Sequence, residues 1–309
     1  MKIITENIEH ARKFVEVDNK WQPFSESINS DIKPFVDEVF ENQPLYWAKA
    51  DDLSFWKYLL ISETSTRSQY DIANDLLARN IHLPDGILCI AGSGGSFHGF
   101  KQRPWISPPG NIYLTVSLTP NYAIKNFGVG FLTLAAVSVV EAIDNIPGLQ
   151  DRAGIKWVND ILIDRAKVCG VLAYTQQEGD KVTGASLGIG LNVLITPEIA
   201  PNIFVPRAAS IANYKNNINK ISLSSVLRNL YKALEINYQL LIDSGYKALL
   251  DKYRRSSVII GRQVEIYEDV VGDKIQLLHK GIVQSIGDHL ELHLEGVAKP
   301  VTRGRLVLK

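Results

Sequence analysis

Three short motifs follow one another in this chain: Lys156-Trp157-Val158-Asn159-Asp160, Lys167-Val168-Cys169-Gly170 and Gly188-Ile189-Gly190-Leu191-Asn192. They gather two lysines, an Asn-Asp pair and a glycine-framed asparagine. Lysine ammonium groups hold carboxylate and phosphate oxygens, and a carboxylate helps to hold magnesium. Such a set suits the activation of a carboxylic acid by a nucleotide. The segments between the motifs, Ile161-Leu162-Ile163 and Gly170-Val171-Leu172-Ala173-Tyr174, are apolar and β-type. Adjacent antiparallel strands would carry the polar groups into one cleft.

The elements needed to position that cleft can be read around it. Tyr58–Ser62 and Gly86–Ala91 read as strands, and Ser68–Asn80 as a helix with Ile72, Leu76 and Leu77 on one face. Asn111–Leu118 alternates as a strand. Phe127–Ile143 is a long apolar helix with Pro147-Gly148 beyond its end. A further helix, Leu223–Ser244, has Val226, Leu230, Leu234, Tyr238 and Leu241 at helical spacing. The mixture, with hairpin-like joins, predicts an α+β fold, a mixed β-sheet flanked by helices. Residues 57–254 form its main domain. Residues 257–309 read as a small C-terminal β-barrel. Its strands fall at Val258–Ile260, Gln263–Tyr267, Lys280–Val283, Leu290–Leu294 and Arg305–Leu308, with turns at Gly272-Asp273 and Gly287-Asp288. Residues 1–56 read as irregular, with acidic clusters at Asp37-Glu38 and Asp51-Asp52 and a short helix at Ile32–Phe40. They carry no helix-turn-helix signature with a basic recognition helix.

Composition narrows the class. The chain has 309 residues, 46% apolar, with 33 basic and 33 acidic side chains and a formal net charge of zero. That balance gives no general electrostatic reason to expect nucleic-acid or membrane-surface binding. No run approaches the length of a membrane span. The N-terminus lacks a signal-peptide core, and Glu6 and Glu9 argue against a transit peptide. Cys89 and Cys169 sit in apolar runs and read as buried free thiols in a reducing compartment, so a cytoplasmic location is expected.

Together with Ser65-Thr66, the run Trp105-Ile106-Ser107-Pro108-Pro109-Gly110-Asn111-Ile112-Tyr113 and the C-terminal strands, the ordered motifs resemble those of biotin–protein ligases, over roughly residues 57–309. The resemblance implies a catalytic core akin to class II aminoacyl-tRNA synthetases and an SH3-like C-terminal domain. It implies a two-step reaction: biotin and ATP, with magnesium, give biotinyl-AMP and pyrophosphate, and the ε-amine of a lysine on the biotin carboxyl carrier domain of a carboxylase then takes the biotin. No nucleic acid or membrane partner is implied by this reading. The family often dimerises by joining sheets edge to edge, so a homodimer is one state it allows.

The resemblance also implies roles for residues. Lys167, Lys156 and Arg103 would be catalytic, Lys167 holding the acyl carboxylate and the α-phosphate. Ser65, Thr66, Gly94, Gly99, Lys167 and Gly170 would contact biotin, although N-capping of the helix after Ser68 is a competing use of Ser65 and Thr66. His98, Phe100, Lys101, Arg103, Trp105, Lys156, Asn159, Gly188, Gly190 and Asn192 would bind the nucleotide, with Trp105 stacked on adenine. Asp160 would hold magnesium; an Asx turn is the competing use of Asn159-Asp160.

One segment departs from the family pattern. The stretch Gly92–Trp105 occupies the adenylate loop, usually Gly-Arg-Gly-Arg-Arg-Gly-Arg preceded by Gln. Read back from Trp105, only Gly99 and Arg103 fall on their counterparts, and Lys101 on a basic position. His98 and Phe100 replace arginines, Phe97 and Gln102 replace glycines, and Gly94 stands at the glutamine position. Loop arginines clamp carboxylate and phosphate. Phe100 cannot do so, which leaves Lys101 and Arg103 to supply the charge. The divergence keeps two alternatives open: a lipoate or octanoate protein ligase of the same fold, and a non-catalytic regulator that binds biotin or an acyl-adenylate. The C-terminal domain is expected to help ATP binding or carrier docking, with Lys299, Arg303 and Arg305 on a basic edge.

Overall fold

The computed structural model describes residues 1–17, 21–24, 31–50, 55–215, 221–269 and 276–309. The Asp51-Asp52 cluster and the Gly272-Asp273 turn lie outside the described residues. The first fifty residues differ from the irregular segment expected of them. They form β1 (Lys2–Thr5), α1 (Ile8–Ala11), β2 (Gln22–Pro23), the expected short helix α2 (Lys33–Phe40), and β3 (Tyr46–Lys49). β1 pairs antiparallel with β3 and parallel with β4 (Tyr58–Ser62). Ile3 and Ile4 point to opposite faces and are both fully buried. A strand covered on both sides shows no polar alternation, so Lys2-Ile3-Ile4-Thr5 carries no period that a sequence reading could catch.

The sheet continues through α3 (Gln69–Ala78), β5 (Ile87–Ala91), β6 (Ile112–Leu118), the short β7 (Tyr122–Ala123) and α4 (Phe127–Asp144). After them come β8 (Ala153–Lys156), β9 (Asp160–Ile163), β10 (Ala166–Glu178) and β11 (Lys181–Leu191). The strand order is β2-β3-β1-β4-β5-β6-β11-β10-β9-β8, with β7 paired to β11. β1, β4 and β5 run parallel and the rest antiparallel, which gives the mixed sheet the sequence predicts.

Period-two alternation sorts the two faces. Leu187, Ile189 and Leu191 of β11, and Cys169 and Val171 of β10, enter the main core. α4 packs there with α5 (Leu223–Ser244) and α6 (Tyr246–Arg255). The other face is covered by α2 and α3 over β4 and β5, where Leu60, Ile72, Leu76 and Cys89 form a second core. Beyond α3, over β6, β11 and β10, that face is left for the site. Both cysteines are free and buried, as expected.

α4 corrects one expectation. It is long and apolar enough to cross a membrane by length and composition, although 67% of that stretch is buried inside the fold. α6 had not been anticipated, although Tyr246, Leu249, Leu250 and Tyr253 sit at helical spacing and are its buried positions.

The C-terminal segment forms an antiparallel sheet of β12 (Gln263–Tyr267), β13 (Leu277–Ile286), β14 (Leu292–Leu294) and β15 (Arg305–Leu308). Their order is β14-β13-β12-β15, and no closing pair joins the two outer strands among the described residues. Val258–Ile260 is not one of its strands. Val258 N donates to Ile155 O at 3.0 Å and Ile155 N to Ser256 O at 2.7 Å, so this segment extends the edge of β8 instead. Side-chain bonds fasten the small sheet to the core. Trp157 Nε1 donates to Leu290 O at 2.6 Å, and Arg254 Nε to Ile286 O at 2.8 Å. Trp157→Phe keeps the ring but leaves a buried carbonyl without its donor. It should lower the unfolding free energy by about 1–3 kcal/mol, read from the midpoint of urea denaturation.

Candidate active site

The β8–β9–β10 hairpins do what the sequence spacing predicts. Lys156 ends β8 directly opposite Asp160, which starts β9, and Asp160 lies opposite Gly170 of β10. Lys167 reaches the same place through a β-bulge between Lys167 and Cys169. Strict alternation would put Lys167 on the core side with Cys169. The extra residue reverses the parity, so Val168 turns into the core while Lys167 emerges on the site face. Its Nζ lies 2.5 Å from Asp160 Oδ1. Lys156 is buried and its Nζ donates to Phe204 O at 2.6 Å. Asn159 Nδ2 donates to Val171 O at 2.8 Å, tying the β8–β9 turn to β10.

Burial acts against all these charges, and the outcome differs from group to group. For Asp160, burial raises the carboxyl, but the ammonium groups of Lys167 and Lys156 and the Arg103 guanidinium outweigh it and hold the group below its ordinary value. For Lys156, burial lowers the ammonium; Asp160 opposes the shift, and Lys167 and Arg305 add to it. Burial and the neighbouring Arg103 likewise lower Arg305.

Trp105 defines the middle of the site. Gly170 and Gly190 face each other across β10 and β11. A Cβ at Gly190 would stand 2.6 Å from the indole and one at Gly170 3.0 Å from it, so only glycines let the ring lie on this strand pair. Gly188 makes the same allowance for Tyr70, at 3.1 Å. Lys167 Nζ sits 5.1 Å above the Trp105 ring. The glycine role expected was close approach to a nucleotide; here the close approach is made by aromatic side chains. Two polar atoms on the cavity wall, Trp105 Nε1 and Asn192 Oδ1, are buried with no hydrogen-bond partner among the described residues. Unpaired buried polar atoms are costly, so both are held by the packing around them.

These residues surround a cavity of about 960 Å³. It brings together His98, Gly99, Phe100, Lys101, Arg103, Trp105, Lys156, Asn159, Asp160, Lys167, Gly170, Gly188, Gly190 and Asn192. Three expected contacts, Ser65, Thr66 and Gly94, are not on its wall. Ser65 Oγ donates to Arg67 O at 2.5 Å and Thr66 Oγ1 to Glu41 at 2.9 Å, while Gly94 lies under the ring of Phe97. Ser68 caps α3 without a side-chain hydrogen bond, so N-capping does not explain the motif either.

The variant loop is ordered by its own contacts. Gly99 N donates to Arg103 O at 2.7 Å and Trp105 N to Phe97 O at 2.8 Å, pairing its two limbs. His98 Nε2 lies 2.9 Å from the Asp71 carboxylate on α3. Lys101 and Arg103, the loop's expected phosphate ligands, are both paired with Asp269 just beyond β12, Lys101 at 3.2 Å and Arg103 at 3.5 Å. Arg305 is not part of an outer basic edge. It lines the cavity with its guanidinium carbon 3.5 Å from the Phe204 ring centre, and it makes no ion pair among the described residues. Phe204, Tyr70 and Gln69 also line the cavity and escaped the sequence reading. Phe204 lies in an irregular segment with no period to expose it.

Asp160, expected to hold magnesium, is engaged by Lys167 and flanked by further cations. No group of three His, Cys, Asp or Glu side chains among the described residues is placed to hold a metal ion. The Asp160 carboxylate is instead engaged by its ion pair with Lys167.

The model of the biotin/lipoate A/B protein ligase family matches residues 64–192, which include all three opening motifs and the loop. That part of the chain is similar to the family. Among members of the biotin/lipoate ligase family, the bifunctional ligase/repressor BirA of Bacillus subtilis is 30% identical over 204 residues, covering 62% of this chain and 61% of that protein. The chain thus spans about three fifths of that relative's length. Biotin–protein ligase 2 of Arabidopsis thaliana is 24% identical over 291 residues, covering 87% of this chain and 85% of that protein. The fold matches the biotin protein ligase of Aquifex aeolicus solved in complex with biotin and ATP, with a TM-score of 0.60 at 19% identity over 82% of this chain and 99% of that one.

Asp160 gives this site a measurable acid limb. A carboxyl whose folded pKa is depressed stabilises the fold fully above its unfolded value, near 4, and the contribution is lost as pH falls through the folded value. Unfolding free energy followed by urea titration should therefore decline below about pH 4. Asp160→Asn should flatten that decline and lose roughly 2 kcal/mol at neutral pH, because Lys167 and Lys156 then face each other without a counter-charge.

Proposed function

We propose that this chain is an ATP-dependent biotin–protein ligase. The observation that carries the reading is the division of one cavity around Lys167. Among its lining residues, Lys156, Arg103 and Arg305 lie close enough to act on one another or on Asp160, while Phe97 and Tyr113 cluster with Trp105, over whose ring Lys167 stands. An acid whose carboxylate meets a nucleotide phosphate needs that division: an apolar place for the acyl body, a cationic place for the polyphosphate, and a lysine where they join.

In the first step a biotin carboxylate oxygen attacks the α-phosphorus of ATP. The new P–O bond forms as the bond to the β-phosphate oxygen breaks, and pyrophosphate leaves with that electron pair. Lys167 balances the charge shared by carboxylate and α-phosphate. Lys156 and Arg305 hold the departing phosphates, and Arg103 joins them by exchanging Asp269 for phosphate. Trp105 supports the adenine. In the second step the ε-amine of a carrier-domain lysine attacks the acyl carbon. The C–N bond forms, the amine loses its proton, and AMP leaves with the C–O electron pair. The carrier is the biotin carboxyl carrier domain of a carboxylase. Magnesium enters with the nucleotide as its counter-ion. Residues 57–254 form the ligase unit and residues 257–309 close its phosphate side. The buried free thiols Cys89 and Cys169 suit a reducing, cytoplasmic setting.

The placement of Ser65, Thr66 and Gly94 off the cavity wall favours a second reading, in which the acid is lipoate or octanoate. ATP–pyrophosphate exchange with biotin, lipoate and octanoate offered separately decides between them. Exchange driven by biotin is expected; exchange driven only by another acid keeps the chemistry and changes the substrate. Lys167→Ala should lower the exchange rate by about 100-fold or more. Arg305→Gln should raise the KM for ATP roughly tenfold while leaving the KM for the acid unchanged, the loss of one charge-assisted phosphate contact.

A further inference from the structure

We propose that Phe97 is the specificity-determining residue of the acyl part of this cavity, and that Gly94 is glycine in order to seat its ring. The inference rests on the acid-activating reading above and names the residue that would contact the acid's apolar body.

Phe97 is 9% exposed and its remaining surface faces the cavity. Tyr113 meets it edge to face with ring centres 5.5 Å apart. Burial pushes the Tyr113 phenol up to about 12, and its hydroxyl donates to Pro108 O at 2.8 Å, so it presents a neutral ring to its neighbour. With Ala91 and Trp105 these rings form a small apolar cluster separate from both large cores. An apolar cluster on a cavity wall is a surface for hydrocarbon, and the acid's carboxylate would extend from it toward Lys167 beside Trp105.

The ring's position depends on Gly94. A Cβ there would stand 2.6 Å from the Phe97 ring edge. Gly94 does not have a positive φ, so the requirement is for space and not for backbone freedom. The backbone around it is held from two sides. Ser107 Oγ donates to Gly94 O, and Ser65 N donates to Ser93 O at 3.0 Å. A side chain at 94 must therefore displace the ring. Phe97 is also coupled to the loop's other limb, since its carbonyl accepts from Trp105 N at 2.8 Å. A glutamine at 94 with a glycine at 97, the usual family pairing, would offer an amide to the acid. This chain offers a phenyl ring, so it reads the acid through its hydrocarbon surface.

The test is calorimetric titration of the full chain with biotin, with octanoate and, separately, with ATP. Phe97→Gly should weaken the better-bound acid by about tenfold, with ATP affinity unchanged within about twofold. Phe97→Leu, which keeps an apolar side chain, should fall between. Gly94→Ala should weaken the acid as well, yet add no further loss to Phe97→Gly, because the ring is the nearest group the methyl would displace, the Ser65 carbonyl oxygen standing farther off at 3.0 Å. Unchanged or tighter acid binding in Phe97→Gly, an equal loss of ATP affinity, additive effects of the two substitutions, or failure of the wild-type chain to bind either acid overturns the proposal. If the wild-type chain binds an acid in the expected pattern but catalyses no pyrophosphate exchange, the ligase reading fails and the role of Phe97 stands.

Discussion

Two glycines facing each other across a strand pair, with one indole lying on them, hold the site together. Gly170 and Gly190 leave a flat strip of backbone between β10 and β11, and Trp105 occupies it. The contact fixes the far end of the variable loop. Through the bond from Trp105 N to Phe97 O it fixes the near limb too. It also sets the surface over which Lys167 stands. A methyl group on either strand would lift the ring, and the loop, the lysine and the cavity wall would move with it. The sheet contributes the strip cheaply, because neighbouring Cys169, Val171, Ile189 and Leu191 on its other face are anchored in the main core.

Charge is the second constraint. Lys156, Lys167, Arg103 and Arg305 converge on one cavity, where Asp160 and Asp269 are the carboxylates that answer them. Burial weakens solvation, so each unpaired cation is held at a cost. Arg305 reduces that cost by stacking on Phe204, which leaves its in-plane N–H groups free for an anion. The cavity is thus biased toward a polyanionic guest. Asp269 acts as a resident stand-in for part of that guest, occupying the loop's two basic side chains from the neighbouring sheet.

The sequence spoke clearly wherever one face of an element is polar or a motif has fixed spacing. The β8–β11 hairpins, α3, α4 and α5 fall where their periods place them. The lysines, Asn159, Asp160 and the glycine-framed asparagine meet as their order predicts. It was silent where both faces are buried, as in β1, or where position depends on contacts distant in sequence. Arg305 looked like a surface cation because its strand alternates with solvent on one side; only the packing of the small sheet against Phe204 turns it inward. Ser65 and Thr66 had the right neighbours in sequence. Their hydroxyls are taken by Arg67 and Glu41, while Phe97, a residue outside their motif, lines the cavity. The bulge at Lys167 is the sharpest case, since parity alone would have buried the most important side chain of the motif on the wrong face.

The arrangement of the C-terminal sheet carries a consequence for biogenesis. Its strand β15 supplies Arg305 and Leu306 to a cavity that also takes Glu268, Asp269, Leu278 and Leu290 from the C-terminal segment, and its remaining walls from residues far earlier in the chain. During synthesis the core, including Trp105 on its glycine strip and Lys167 on its bulge, can assemble while the side that Arg305 lines is still open to water. Enclosure waits for β15 to pair with β12. A growing chain on the ribosome therefore lacks the Arg305 side of the cavity until β15 has emerged and docked.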